Sequence, residues 1–376
     1  MQYSTKKLFF SLIFLILYVI FTNSYFSYEE SLILGGADGF SYMNISKEAP
    51  SVISKDIMLI HAERFFFPYV IGLISKFLNI DTFYTYRIFV FVVLFFLNFY
   101  IYKIFKHLKY NNDLILSSFF LINLNPYISR FYISIPTIIN DLIFILGFTI
   151  IIYCILKKNR NIFEISFAHY LSFWSRQSSV ALLIAYILSK ISSKKNLLNK
   201  KEVIIGLLIF FLYLVITKFY TDSLPNQLDD DRSNYYSISM RVFGIFNQQS
   251  NIYETIKFLT LPVLSYIGLI IFCILFIEIK KQKLITVFKS NLLIFLIVTI
   301  LLLILQPILS GPIITGRNII RLTTLAFIPM LLFILIMSNK KKIFSFERKI
   351  VFYIVLFAQS FHPTFSKIKV FELLKF

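Results

Sequence analysis

The sequence has few charged residues and very few cysteines. Charged side chains make up 15% of its 376 residues, against about 25% in a soluble globular domain. The two cysteines, Cys154 and Cys273, both fall inside apolar runs, so the sequence shows no disulfide or cysteine-based metal framework. In contrast, 58% of the residues are hydrophobic and 18% are aromatic. Several apolar runs long enough to cross a membrane follow one another, which predicts an all-α polytopic membrane protein.

Acidic residues are also scarce. The chain has 19 Asp and Glu against 38 Lys and Arg, a formal net charge of +19. In a soluble protein this excess would favour nucleic acid as a partner. Here the basic residues lie in short clusters between apolar runs, as cytoplasmic loops do. The charge therefore indicates membrane topology, and we predict contact with membrane lipids and none with nucleic acid.

The first apolar run, Leu8 to Phe21, follows Lys6 and Lys7. No small-residue cleavage site comes after it, so we interpret it as a retained first helix with a cytoplasmic N terminus. The run Phe65–Leu78 is roughly 21 Å long as a helix, short of the ~30 Å hydrocarbon core. Counting it as a span would place nearly every basic cluster outside. We therefore predict an interfacial helix on the outer leaflet.

The remaining apolar runs alternate between the two sides of an inner (plasma) membrane. They predict a single integral membrane domain over residues 1–376, with about eleven transmembrane helices. The first outer loop covers residues 23–85 and the second covers residues 221–255. Runs 162–174 and 177–189 form a short out-and-back pair. We expect a functional site on the outer face, where most of the noteworthy charges collect.

Asp38 is the first candidate, in the segment LGGADGFSY. Gly35, Gly36 and Gly39 would allow a close backbone approach to a ligand. Tyr42 would share a helical face with Asp38 if a helix begins there. Asp38 is therefore a candidate catalytic base. The alternative is a helix-capping or turn aspartate in a solvated loop.

His61, Glu63 and Asp141 are the other candidates for chemistry. His61 and Glu63 are possible ligands of a divalent metal; the alternative is a surface histidine and an ion pair of Glu63 with Arg64. Asp141 begins a helix after Pro136. It is a candidate catalytic carboxylate, or else an acidic residue placed at the positive end of the helix dipole.

Arginines on the predicted outer face form a third group, because the planar guanidinium suits a phosphate. The candidates for binding the substrate or its lipid phosphate are Tyr42, Arg64, Arg87, Arg176 and Arg317. Arg176 lies at the tip of the short helix pair, where a charge requires a partner. A lipid phosphate would serve; the alternative is snorkelling toward the lipid headgroups.

The order of these segments resembles the GT-C type of membrane glycosyltransferase, which includes protein mannosyltransferases and aminoarabinose transferases. Residues 30–190 carry the resemblance. Its parts are Asp38 and Tyr42, the segment HAERFFFPYVIGLISKF, the pair Tyr86-Arg87, and the segments NPYISRFYISIPTIIND and WSRQSSVALLIAYIL. The resemblance implies inverting transfer of a sugar from a polyprenyl-phosphate-linked donor on the outer face, with Asp38 as base. Many members carry a second acidic residue in this loop where this chain has Gly39, so metal dependence and the acceptor stay open.

Two other functions fit the same composition. One is a polysaccharide polymerase of the O-antigen type, and the other is a flippase or transporter of lipid-linked glycans. A transporter is expected to show discontinuous helices in two related halves, and the sequence has no visible internal repeat. If the chain is a transferase, we expect one outer cavity lined by Asp38, Arg87, Asp141, Arg176 and Arg317.

Overall fold

The computed structural model describes residues 5–53, 57–157, 161–191, 200–224, 245, 252–276, 290–315, 318–337 and 345–367. Within these ranges the chain is helical and contributes to no β-sheet; Asn23 and Ser366 form an isolated antiparallel bridge. The predicted all-α class is confirmed for this part of the chain. Arg317 and most of the second outer loop, residues 221–255, lie outside it.

The helices are numbered in chain order. They are α1 (Thr5–Thr22), α2 (Tyr28–Glu48), α3 (Leu59–Ala62), α4 (Phe66–Leu78), α5 (Thr82–His107), α6 (Asn112–Asn123), α7 (Phe131–Ser134), α8 (Ile139–Leu156), α9 (Ile162–Ser175), α10 (Ser179–Ile191), α11 (Lys200–Asp222), α12 (Ile252–Phe276), α13 (Asn291–Thr315), α14 (Ile319–Thr324), α15 (Phe327–Met337) and α16 (Phe346–Ser360). A π-helix, Pro126–Arg130, precedes α7, and a 3₁₀-helix, Pro136–Ile138, precedes α8.

Six helical segments of the described chain are long and apolar enough to cross a membrane. They are Thr82–His107, Pro136–Leu156, Glu202–Asp222, Tyr253–Leu275, Asn291–Gly311 and Ile319–Met337. These segments support a multi-pass membrane protein. The predicted number of about eleven spans is not confirmed, because several of the other apolar helices are only 10–17 residues long.

The chain divides into two compact units, each built from separate stretches of sequence. Unit 1 comprises Met1–Tyr25, Ile101–Ser134 and Val242–Phe376, and unit 2 comprises Phe26–Tyr100 and Ile135–Arg241. Within unit 1, α1 packs against α6, and α12 packs against α14 and α16. Within unit 2, α2 packs against α4 and the 3₁₀-helix, and α9 packs against α8 and α11.

The predicted first outer loop, residues 23–85, is mostly helical. Ser27 caps α2 through a reciprocal capping box with Glu30, which satisfies two backbone N–H groups at the helix start. The run predicted to be an interfacial helix forms the helix α4. Its Gly72 lies directly against the Ser46 carbonyl of α2, so the two helices approach as closely as their backbones allow. The predicted short pair appears as the helices α9 and α10, joined by Arg176, Gln177 and Ser178.

Candidate functional site

Asp38 lies inside α2, shortly after a break in that helix. Gly36 adopts φ 59° and ψ −152°, a conformation that favours glycine. The Asp38 Oδ1 atom is 2.6 Å from His61 Nε2, and the two side chains are only 12% and 6% exposed. The interpretation of Asp38 as a cap or solvated turn residue is therefore wrong. Asp38 is a largely buried carboxylate paired with an imidazole.

His61 links Asp38 to a second polar side chain. Its Nδ1 atom is 2.8 Å from Ser41 Oγ, and its ring meets the Tyr42 ring edge-on at 5.9 Å. The alternative of a surface histidine is wrong, because both ring nitrogens are occupied within a buried site. Tyr42 shares the Asp38 side of α2, as the four-residue spacing predicts.

Two of the three glycines around Asp38 serve helix packing. A Cβ atom at Gly39 would lie 3.1 Å from Thr137 Oγ1, and one at Gly35 would lie 3.3 Å from Ile135 Cγ2. Both glycines thus let α2 approach the 3₁₀-helix closely. Only Gly36 faces open space: a Cβ atom there would have no neighbour within 4 Å in the described part of the chain. The prediction that all three admit a ligand is corrected accordingly.

Arg64 is the centre of a second set of hydrogen bonds. Its Nη1 donates to the Tyr42 hydroxyl at 3.3 Å and its Nε donates to Gln177 Oε1 at 2.8 Å. Its carbonyl accepts from Asn140 Nδ2 at 3.1 Å. The Gln177 amide nitrogen donates to Glu63. The predicted Glu63–Arg64 ion pair is therefore wrong, because Gln177 stands between the two charges.

Asp141 and Arg176 form a buried ion pair between the start of α8 and the end of α9. Asp141 lies in the first turn of its helix, as predicted. Arg176 is buried, so the snorkelling alternative is wrong; the partner that its position requires is Asp141. A buried pair of this kind has to be kept intact, since removing one partner leaves an uncompensated charge.

The electrostatics keep Tyr42 a neutral hydroxyl. Burial raises the pKa of Tyr42, nearby Arg64 opposes this rise, and the negative charges of Asp38 and Asp141 reinforce it. Both carboxylates are thus close enough to influence the same phenol. A neutral Tyr42 keeps its O–H as a hydrogen-bond donor.

An aromatic wall packs beside these polar residues. Phe65 stacks face to face on Tyr220 with ring centroids 3.8 Å apart, and Trp174 meets Phe65 edge-on. Tyr213 adds a hydroxyl that donates to the Glu63 carbonyl at 3.4 Å. Because such a wall excludes water, charges beside it interact more strongly than at an open surface.

These contacts define one constellation in unit 2, called here the Asp38 cluster. Its members are Asp38, Ser41, Tyr42, His61, Glu63, Arg64, Asn140, Asp141, Arg176 and Gln177. Arg87 is tied to the other end of α2, where it donates to the Phe26 carbonyl and lies over the Phe83 ring. Arg317 lies outside the described residues.

The described residues include no group of three or more His, Cys, Asp or Glu side chains that could hold a metal ion. His61 faces Asp38, whereas Glu63 is bonded to Gln177. The pairing of His61 with Glu63 as metal ligands is therefore not formed in this part of the chain.

The sequence interpretation missed Ser41 and the two amide side chains of the cluster, Asn140 and Gln177. Asn140 precedes Asp141 and Gln177 follows Arg176, so each amide is adjacent in sequence to a charge that was identified. A buried ion pair needs further hydrogen bonds around it, and neighbouring amides are natural suppliers. Polar neutral residues beside a membrane-edge charge are the signal that would have found them.

Comparison with known proteins gives no relative: no family model, curated protein or solved structure matches the chain. Function is therefore inferred from the chemistry of the Asp38 cluster. The cluster offers a carboxylate oriented by an imidazole, an arginine bonded to neutral groups, and a tyrosine hydroxyl. A carboxylate beside an arginine can accept a proton while a neighbouring anion is stabilised.

Proposed function

We propose that this chain is a membrane glycosyltransferase. It moves a sugar from a polyprenyl-phosphate-linked donor to an acceptor hydroxyl on the outer face of the plasma membrane. The observation that carries the proposal is the contact of Asp38 with His61 inside a buried cluster that also contains Arg64 and Tyr42. The order of segments that resembles the GT-C type supports the same assignment.

In this proposal Asp38 is the general base. The acceptor oxygen attacks the anomeric carbon and forms the new C–O bond, and its proton passes to the Asp38 carboxylate. The bond from that carbon to the phosphate oxygen breaks on the opposite face, and the electron pair leaves with the lipid phosphate. His61 is a positioning residue that holds one carboxylate oxygen of Asp38. General-base assistance of this kind is typically worth about 10²–10⁴ in rate.

Arg64 is the best candidate to stabilise the departing phosphate. Arg176 is already neutralised by Asp141, whereas the hydrogen-bond partners of Arg64 in the described chain, Tyr42 and Gln177, are neutral. An arginine without a directly bonded carboxylate retains its full charge for an anionic ligand. The planar guanidinium also matches phosphate oxygens in pairs.

The decisive experiment replaces Asp38 by Asn in the purified, reconstituted protein. Asp38→Asn keeps the shape and removes the base, so sugar transfer from a polyprenyl-phosphate donor should fall by about 10²–10⁴. Donor binding and thermal stability should change little. Asp81→Asn is the matched control, because Asp81 is an exposed carboxylate that caps the start of α5.

Three results would contradict the proposal. Near-normal transfer by Asp38→Asn would remove Asp38 as base. If the unaltered protein moves a lipid-linked glycan across the vesicle membrane without transferring the sugar to an acceptor, a flippase would be favoured. Growth of a repeating polymer in place of a single transfer would favour a polymerase.

A further inference from the structure

Arg130 is the most deeply buried arginine of the described part of unit 1. It is the last residue of the π-helix Pro126–Arg130. Its relative exposure is 0%, and its side chain is among the largest that are fully buried in the described part of the chain. A guanidinium in such a place loses its hydration and requires compensation from partners. Its partners therefore decide whether the residue is structural.

The protein supplies only part of that compensation. The Nη2 of Arg130 donates to Thr22 Oγ1 at 2.8 Å, and the guanidinium lies 5.6 Å from the ring centre of Tyr18. Within the described residues no carboxylate pairs with it, and its Nε and Nη1 have no hydrogen-bond acceptor. One hydroxyl and one ring face do not replace the water that a buried cation loses.

Two further cations belong to elements that contact the hydrogen-bond partner of Arg130 or its π-helix. The segment following α16 runs beside Thr22, whose carbonyl accepts from the Lys367 backbone N–H at 2.9 Å. The Lys367 ammonium lies 5.0 Å from the ring centre of Tyr25. Helix α14, which carries the buried Arg321, packs against the same π-helix.

The position of Arg130 along α1 indicates the kind of anion. Its partner Thr22 is the last residue of α1. The preceding turns expose the large apolar side chains Phe14, Leu17 and Phe21, as a lipid-facing helix does. Where such a helix reaches the membrane surface, a cation at its end would meet lipid phosphates.

We propose that Arg130 is the cation of an anion site in unit 1 that takes a phosphate group. The ligand is either the phosphate of a lipid headgroup or free phosphate, since both offer the same acceptor oxygens. The proposal shares no residue with the proposed catalytic site, since Arg130 belongs to unit 1 and the Asp38 cluster to unit 2. The Nε and Nη1 groups of Arg130 donate charge-assisted hydrogen bonds to the phosphate oxygens.

The test measures binding to the full-length protein in a phosphate-free maltoside detergent. The probes are inorganic phosphate, a long-chain alkyl phosphate and the matching uncharged long-chain alcohol. Arg130→Gln should weaken binding of the phosphate probe about tenfold or more, as the loss of charged hydrogen bonds predicts. Arg348→Gln is the matched control, because Arg348 is an exposed arginine of the same unit.

The probes distinguish the two sources of phosphate. Tight binding of the alkyl phosphate alone identifies a lipid headgroup, and equal binding of inorganic phosphate identifies a free anion. If Arg130→Gln does not fold, Thr22→Val keeps the cation, removes its orienting hydroxyl and should still weaken binding severalfold. Failure of the unaltered protein to bind either phosphate better than the alcohol would overturn the proposal, as would unchanged binding by the variant.

Discussion

At the scale of single residues, the contact between Asp38 and His61 determines which way the carboxylate faces. His61 is held in turn by Ser41 and by the edge of the Tyr42 ring. Such a chain restricts the carboxylate to a narrow range of orientations before any substrate arrives. Preorganisation of this kind matters because a misplacement of about 1 Å can cost about 10² in rate.

His61 should therefore affect turnover more than substrate binding. We expect His61→Leu to lower kcat of sugar transfer by about 10–100-fold with little change in KM, because Asp38 is present but no longer oriented. His61→Gln retains an amide N–H near the position of Nε2 and should recover part of the loss. A change confined to KM, or equal losses for Leu and Gln, would count against a positioning role.

The charges of the cluster were predictable from the sequence, and their pairing was not. Asp38, Asp141 and Arg176 stand out because charges are rare at the ends of apolar runs. The intervening amide of Gln177 could not be foreseen, since its two partners, Glu63 and Arg64, are more than a hundred residues away in sequence. Contacts over such separations depend on how helices pack, which periodicity does not specify.

At the scale of elements, the Asp141–Arg176 pair joins α8 to the end of α9. The two helices also pack along their lengths. The two helices would therefore be in contact without the ion pair, which joins them at the end of α9. Its contribution lies in the penalty for breaking it, because each partner is buried.

A double-mutant cycle tests this connection. Asp141→Asn and Arg176→Met should each lower the free energy of unfolding by about 3–5 kcal/mol, since each leaves the other charge unpaired. The loss of unfolding free energy in the double variant should be clearly smaller than the sum of the two single losses, because neither charge remains. Denaturation of the purified protein in micelles measures all three; additive losses would show that the pair does not interact.

At the scale of the whole molecule, composition and charge pattern were sufficient to predict an all-α membrane protein. They were not sufficient to predict the number of membrane spans. Six helical segments satisfy the length and hydropathy of a membrane crossing. Others fall short: the apolar helix α6, for example, has only 12 residues. Short apolar runs can be spans or buried helices, and hydropathy alone does not separate them.

The composition of the Asp38 cluster bears on topology. Residues of the predicted first outer loop, the start of α8 and the α9–α10 connection meet in one set of contacts. We therefore expect them to lie on the same side of the membrane. A reporter fused after Leu108 should be cytoplasmic and one after Asp230 should be outside, as the positive-inside rule requires. An outside signal after Leu108 would mean that α4 crosses the membrane.

The connection between α9 and α10 sets a limit on changes in chain length. Arg176 and Gln177 are consecutive residues, and they bond in different directions, to Asp141 of α8 and to Glu63 and Arg64 before α4. A residue inserted between them would add up to about 3.8 Å of chain, which exceeds the slack of a hydrogen bond. Loops usually absorb insertions easily, but this one should not. Proteins with a domain inserted at this connection, or circularly permuted there, should therefore not fold, although the connection is a short loop between two short helices.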